Sequence, residues 1–389
     1  MSRAFNSPRH QAGVSLVELM IALVIGLALM LGVIQVFSAS REASQLAQGN
    51  AAVQENARFA LEFLQRDIRM AGHFGCVNDQ AHFVKGEGDP VSHIGGVATG
   101  SGSPLDFSVS VQGYEAPDTA PNGTLTLGAN WSGASGLPSA LQALNPRGGS
   151  DVLVLRFLSP VGVPVTSIGT GSNPEIGFNS TAGERLTEGG VGAPTLFGLA
   201  DCSHADVFVG TYAAGKVTAV SGALTRYNVQ PTGETMLYRA ESIAYYVGTG
   251  ASGEPALMRA RAKSDGTGYD IPEELVEGIE NLQVMYGLDA TGVITSTALP
   301  VGNITFQQPA NGVSTGTDAD AAGQWRRVGQ VQVGVLARSP NPATATASAA
   351  ALNDPRLLGV RFAPAATNDR RYRVAYESTI ALRNRLFGN

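Results

Sequence analysis

The chain has 389 residues, with 26 basic against 32 acidic side chains and a formal net charge of −6. Charged residues make up 15% and apolar residues 43%, which speaks against a disordered chain, since disorder needs low hydrophobicity and high net charge. The acidic balance likewise speaks against direct nucleic-acid binding, which needs a basic surface. Two cysteines are too few for a disulfide-dense scaffold but enough for one bridge.

The N-terminus comes first in chain order. Residues 1–13 carry Arg3 and Arg9 and no acid, and residues 14–37 (VSLVELMIALVIGLALMLGVIQVF) hold a single charge, Glu18. As a helix this stretch would be roughly 36 Å long, enough to cross a bilayer core of about 30 Å. Basic residues before such a span hold the leader in the cytoplasm and send the rest outward. A secretory signal peptide cut near Ser38-Ala39-Ser40 is one reading, but the apolar run exceeds the usual h-region and contains a glutamate. A plain anchor is a second reading, and it leaves Glu18 as an unpaired acid inside a span.

The third reading rests on Gly13-Val14-Ser15-Leu16-Val17-Glu18 between the basic leader and the apolar helix. This pattern resembles the type III signal of type IV pilin-like proteins. The resemblance implies that a prepilin peptidase/N-methyltransferase cleaves between Gly13 and Val14 and methylates the new amine of Val14. Glu18 then falls at the fifth mature position, where the family keeps a glutamate. A carboxylate buried in a helix bundle needs a cation, and the amine of Val14 on a neighbouring subunit supplies one. Two departures are present: Val14 stands where the family most often has phenylalanine, and no proline lies between Pro8 and Pro90. Removing the leader leaves 24 basic against 32 acidic side chains.

From 38 to about 70 the sequence is rich in good helix formers. Leu46, Val53, Ala57, Ala60, Leu61, Leu64 and Ile68 recur at helical spacing, opposite Gln54, Glu55, Arg58, Glu62 and Arg66. The pattern predicts one helix over 14–70 whose second half packs on a sheet of the same chain.

Beyond Gly75 the texture changes to short β-rich runs between Gly, Ser, Pro and Asn clusters. The predicted strands are 151–158, 205–212, 242–247, 281–287, 328–337 and 372–382, with 273–279 expected as a helical or turn segment. The stretches 95–147 and 339–367 read as long loops.

Several of these segments resemble the PilW family of minor pilins: Phe59-Ala60-Leu61 with 67–72 and Gly75-Cys76, then 149–156, 201–208, 275–287 and 380–385. An exported domain would carry Cys76 and Cys202 into an oxidising compartment, where a bridge between them persists. Such a bridge closes a loop of 126 residues, stabilising by about 5 kcal/mol in the chain-entropy picture. Its rival is a zinc site built from His73, Cys76, Cys202 and His204.

Other motifs carry less. Gly312-Val313-Ser314-Thr315-Gly316 matches the nucleophile-elbow pattern, but its flanks read as loop rather than strand and helix. Asp318 and Asp320 lack the closing glutamate of an EF-hand loop, and no P-loop occurs. The histidines (His10, His73, His82, His93, His204) are scattered, and Arg326-Arg327 and Arg370-Arg371 with Arg373 read as solvated strand faces.

The expected fold is α+β: a long N-terminal transmembrane and stalk helix packed on a C-terminal antiparallel β-rich domain. The expected divisions are a leader at 1–13, a membrane and assembly segment at 14–37, an amphipathic half-helix at 38–75 and a β-rich domain at 76–389. The resemblance implies a non-enzymatic minor pilin, without cofactor or metal, that primes type IV pilus assembly and sits near the fibre tip. It would support twitching motility, adhesion or DNA uptake. Implied partners are the peptidase, other minor pilins, the major pilin and the inner-membrane assembly platform. The expected location is the inner membrane, with the C-terminal domain in the periplasm, and outside the cell once in the fibre. The alternatives are a J-like pseudopilin of a type II secretion system and a membrane-anchored periplasmic enzyme.

Overall fold

A single helix, Leu16–Met70, runs for 55 residues, about 80 Å at 1.5 Å per residue. The computed structural model describes residues 13–78, 90–127, 136–292, 294, 298, 300–342, 355–363 and 370–386. Residues 1–12 of the predicted leader, which include His10, lie outside the described residues, as do His82, 128–135 of the first long loop, and 343–354 and 364–367 of the second.

Nothing breaks the helix internally because no proline falls within it. It stops at Ala71, whose backbone is extended (φ −53°, ψ 130°). Gly72 follows at φ +75°, a left-handed conformation that suits glycine, and its N–H donates to Arg156 O at 3.2 Å. Val53, Ala57, Ala60, Leu64 and Ile68 are fully buried, as their spacing predicts, and Leu61 is half-buried. Leu46 departs from the prediction: it is 44% exposed, because the helix meets the domain only from Gly49 onward.

Two antiparallel sheets flank the docked half of the helix. One has four strands in the order Ile304–Gln308, Ile279–Asp289, Val328–Arg338, Arg373–Ala381. The other belongs to a larger sheet and sets Val111–Tyr114, Val152–Leu158, Met236–Thr249, Pro255–Arg261 and Glu273–Glu277 side by side. Leu153, Leu155, Phe157, Ile243, Tyr245 and Val247 from the second sheet join Leu282, Val284, Tyr286, Val331, Val333 and Val335 from the first around the helix stripe. The alternate residues Val152, Val154, Leu158, Ala244 and Tyr246 point into a separate core. Strands buried on both faces read as continuous apolar runs, which explains the unbroken DVLVLRFL.

The predicted strands lie within or coincide closely with observed ones. Residues 273–279 do not form the expected helical or turn segment: Glu273–Glu277 is a strand paired with Pro255–Arg261. Gly278, at φ +79°, then turns the chain from one sheet into the other. The stretch 95–147 is likewise more ordered than predicted. It contains the strands Val111–Tyr114 and Thr124–Thr126 and the turn Ser139–Gln142, and it buries Leu105, Phe107 and Val109. The anchor is Arg156, fully buried, which donates to the carbonyls of Val109 at 2.7 Å, Ser103 at 2.8 Å and Pro104 at 3.1 Å. A buried guanidinium needs all its donors met, and here loop carbonyls meet them.

Candidate assembly signal and the helix–domain junction

Gly13 and Val14 precede the helix, and Ser15 caps it in an extended conformation (φ −68°, ψ 143°). Glu18 stands three residues into the helix, and its Oε2 accepts the Ser15 N–H at 3.4 Å. An acid in a first turn also complements the positive end of the helix dipole. Within the isolated chain Glu18 therefore has a local capping role. A Cβ built on Gly13 would meet nothing within 4 Å, and the same holds for Gly26 and Gly32. The chain's own packing thus gives no reason for glycine at these three places.

The apolar residues from Val14 to Phe37 point outward all round the helix, with exposures between 54% for Ile25 and 76% for Leu16. An apolar surface of this kind needs lipid or other helices around it. The helix is long and apolar enough to cross a membrane.

Its other end is fastened by polar contacts that hydropathy does not reveal. Asp67 is buried and accepts the Tyr245 hydroxyl at 2.5 Å, with Arg259 Nη1 at 3.5 Å. Arg259 Nη2 donates to Glu273 at 2.8 Å, and Arg239 Nε donates to Glu241 at 2.6 Å. Burial first, then the charge of Asp67, pushes the Tyr245 hydroxyl well above its ordinary pKa, so it remains a donor. Asn56 donates to Glu277 O at 2.9 Å, Gln65 to Ser378 Oγ at 2.8 Å, and Asn384 to Arg69 O at 2.9 Å. The signal that could have found Asp67 is an acid between buried Leu64 and Ile68 on the docking stripe.

Cys76 and Cys202 form a disulfide, with their Cα atoms 4.9 Å apart. It ties the His73–Phe74 and Val77–Asn78 hairpin that follows the helix to the chain just before Ala205–Ala213. Gly75 sits in the hairpin turn at φ +88°, and a Cβ there would come within 2.9 Å of Ala200 Cβ. Sulfurs bonded to each other are not thiolate ligands, so the zinc alternative gives way. His204 instead lies beside Asp201, Nδ1 to Oδ1 at 3.4 Å, and His73 packs edge-on to Tyr238.

The remaining sequence motifs resolve into local structure. Ser314 follows the helical turn Ala310–Val313 and accepts the Gly316 N–H at 3.1 Å. A nucleophile elbow has a strand directly before its serine, so the motif is turn chemistry. Asp318 caps the helix Ala319–Arg326 by accepting the Ala321 N–H at 2.9 Å. The basic clusters are more internal than predicted: Arg373 is buried against Glu280 at 2.6 Å, and Arg371 reaches Glu254 at 2.9 Å. His93 is a satisfied residue of the domain. Its Nε2 lies 2.6 Å from buried Asp206, which also accepts from Arg226 at 2.6 Å and from Tyr227. Burial alone would raise the pKa of Asp206, but these hydrogen bonds and the Arg226 charge outweigh it and hold the carboxyl below the ordinary value.

A second buried acid, Asp151, accepts the N–H of Ala116 at 2.9 Å and of Val284 at 2.8 Å, stitching the two helix-flanking sheets together. Burial and then the nearby Glu115 push its pKa well up. Glu115 itself is raised by burial to about 7.

An exposed apolar half-helix ahead of a disulfide-closed β domain fits a single-pass, membrane-anchored pilin. Residues 8–34 match the prokaryotic N-terminal methylation motif. Residues 244–384 match the family model described as type IV pilus-assembly protein W, a stretch that includes the whole four-stranded sheet. The two matches support a PilW-like type IV minor pilin. The resembling segments before residue 244 lie outside the second match. Neither a curated protein nor a solved structure shows a match. The methylation motif implies processing by prepilin peptidase and membership in the type IV pilus system. The family is a structural component of the pilus.

Proposed function

We propose that this protein is a non-enzymatic minor pilin that primes fibre assembly in the inner membrane and ends near the fibre tip. Prepilin peptidase cuts between Gly13 and Val14 and methylates Val14, and the mature helix then stacks on neighbouring pilin helices. Before assembly, 14–37 spans the inner membrane and the β domain stands in the periplasm.

The observation that carries this reading is the contrast between the two halves of one helix. The first half is apolar and exposed on every side, while the second is buried along one stripe and locked by Asp67. In the stack, Glu18 exchanges its weak bond to the Ser15 amide for the methylated amine of a neighbour, a charge-assisted pair in a low-dielectric bundle.

The test is a pair of variants in the producing cell. Gly13→Asp should leave the leader attached and abolish piliation. Glu18→Ala should be processed and inserted normally, yet cut surface pili by about tenfold or more, as expected for loss of a desolvated charge pair. Normal maturation and piliation of Gly13→Asp would overturn the reading, and unchanged piliation of Glu18→Ala would remove the pairing.

A further inference from the structure

Where the long helix ends, a pocket of about 480 Å³ opens beside the last strand and the C-terminal turn. Arg69 and Arg383 line it together with His73, Pro160 and Thr379, and no lining residue is acidic. Both arginines are exposed, and neither makes an ion pair or side-chain hydrogen bond among the described residues. Their relative position is fixed, because Asn384 donates to Arg69 O at 2.9 Å and so holds the turn Arg383–Leu386 against the helix end. His73 Nε2, closed off from solvent, has no hydrogen-bond partner among the described residues.

Several buried or half-buried arginines elsewhere pair with acids: Arg259 with Glu273 and Asp67, Arg239 and Arg261 with Glu241, Arg338 and Arg373 with Glu280, Arg226 with Asp206. In a chain with 32 acids to 26 bases, this pocket holds two guanidiniums and no acid among its described lining residues. Arg69 lies in the last turn of its helix, where the dipole favours a cation. Arg383 begins its own turn, where the dipole gives it no such support.

We propose that this pocket is a docking site for a carboxylate-bearing segment of a neighbouring pilin subunit, held by Arg69 and Arg383. Guanidinium forks match carboxylates in shape and in charge, and the pocket's single sign of charge selects for such a partner. His73, whose pKa burial holds below the ordinary value, lines the pocket without adding charge. The proposal rests on the pilin reading given above.

The experiment places a photoactivatable benzophenone on Thr379→Cys, in the full chain expressed in its own cells. The control is Ile271→Cys, which is 94% exposed and far from the pocket in sequence. The expected result is an adduct between position 379 and a second pilin subunit, mapped to a segment containing Asp or Glu, with none at position 271. Adding Arg69→Glu and Arg383→Glu should lower its yield by about tenfold, the sum of two half-exposed ion pairs. Adding Arg69→Lys and Arg383→Lys should largely preserve it, and an intact Cys76–Cys202 bridge in each variant shows that the domain has folded. No adduct at 379, or one indifferent to charge reversal, would overturn the proposal; if the protein is still recovered in sheared pili, the pilin reading stands. An adduct only to non-pilin protein, with none of the chain in sheared pili, would overturn both.

Discussion

Tyr245 donates its hydroxyl to Asp67 at 2.5 Å, joining residues 178 apart in sequence. One lies in the last turns of the N-terminal helix and the other on a central strand, so the contact fastens the end of the stalk to the domain. Asp67→Ala should leave the Tyr245 hydroxyl without its acceptor and Arg259 with only Glu273. The expected loss is about 3 kcal/mol, as for a buried pair broken from one side. Asp67→Asn keeps an acceptor and should lose roughly 1 kcal/mol. Thermal unfolding of the two variants measures this; equal stability of Asp67→Ala and the parent would show that the apolar stripe alone holds the helix.

Tyr286 presents the opposite case. Its hydroxyl is buried with no hydrogen-bond partner among the described residues, and its ring meets Trp325 edge-on at 5.0 Å. Tyr286→Phe should therefore be neutral or stabilising by about 1 kcal/mol, because an unmet buried hydroxyl is removed. The same hydroxyl would lie 1.9 Å from a Cβ on Gly113. Gly113→Ala should be destabilising by about 1–3 kcal/mol, and Tyr286→Phe in the same chain should recover part of that loss. Failure of the second change to recover any stability would show that the backbone of Gly113, rather than its closeness to Tyr286, is what matters.

Glu115 gives a pH dependence with a definite sign. Burial raises its pKa from 4.5 to about 7, and Glu115 in turn helps to raise that of the buried acid Asp151. The fold thus prefers the neutral carboxyl. Its contribution is fully present below about pH 4.5 and is lost as pH rises through 7, by up to about 3 kcal/mol. Glu115→Gln should match the parent at pH 4.5 and exceed it in stability at pH 8. Unfolding midpoints at the two pH values decide this, and a constant difference between the proteins would contradict it.

The parts of this molecule governed by periodicity were legible in the sequence. The helix stripe from Val53 to Ile68 and the doubly buried strand Val152–Leu158 follow from spacing and apolar run length. Glu273–Glu277 was misread because EELVE has helix-forming composition, and its strand state comes from pairing with Pro255–Arg261. Arg156 gave no local sign of its role, since the carbonyls it holds lie 47 to 53 residues away in sequence. Asp67 was visible only as an acid out of place on an apolar face, and its partner on Met236–Thr249 came with the tertiary fold. The assembly signal is a different kind of object. In the proposed reading Gly13, Val14 and Glu18 are read by other proteins, so their meaning lies in the linear motif more than in this fold.

That motif also offers the most direct test of the whole account. The protein should be purified from the membrane of its own cells and its N-terminal peptide measured by mass spectrometry. The account predicts a chain beginning at Val14 with one added methyl group on its amine. A retained Met1–Gly13 leader would contradict it, and so would a new terminus near Ser38–Ser40.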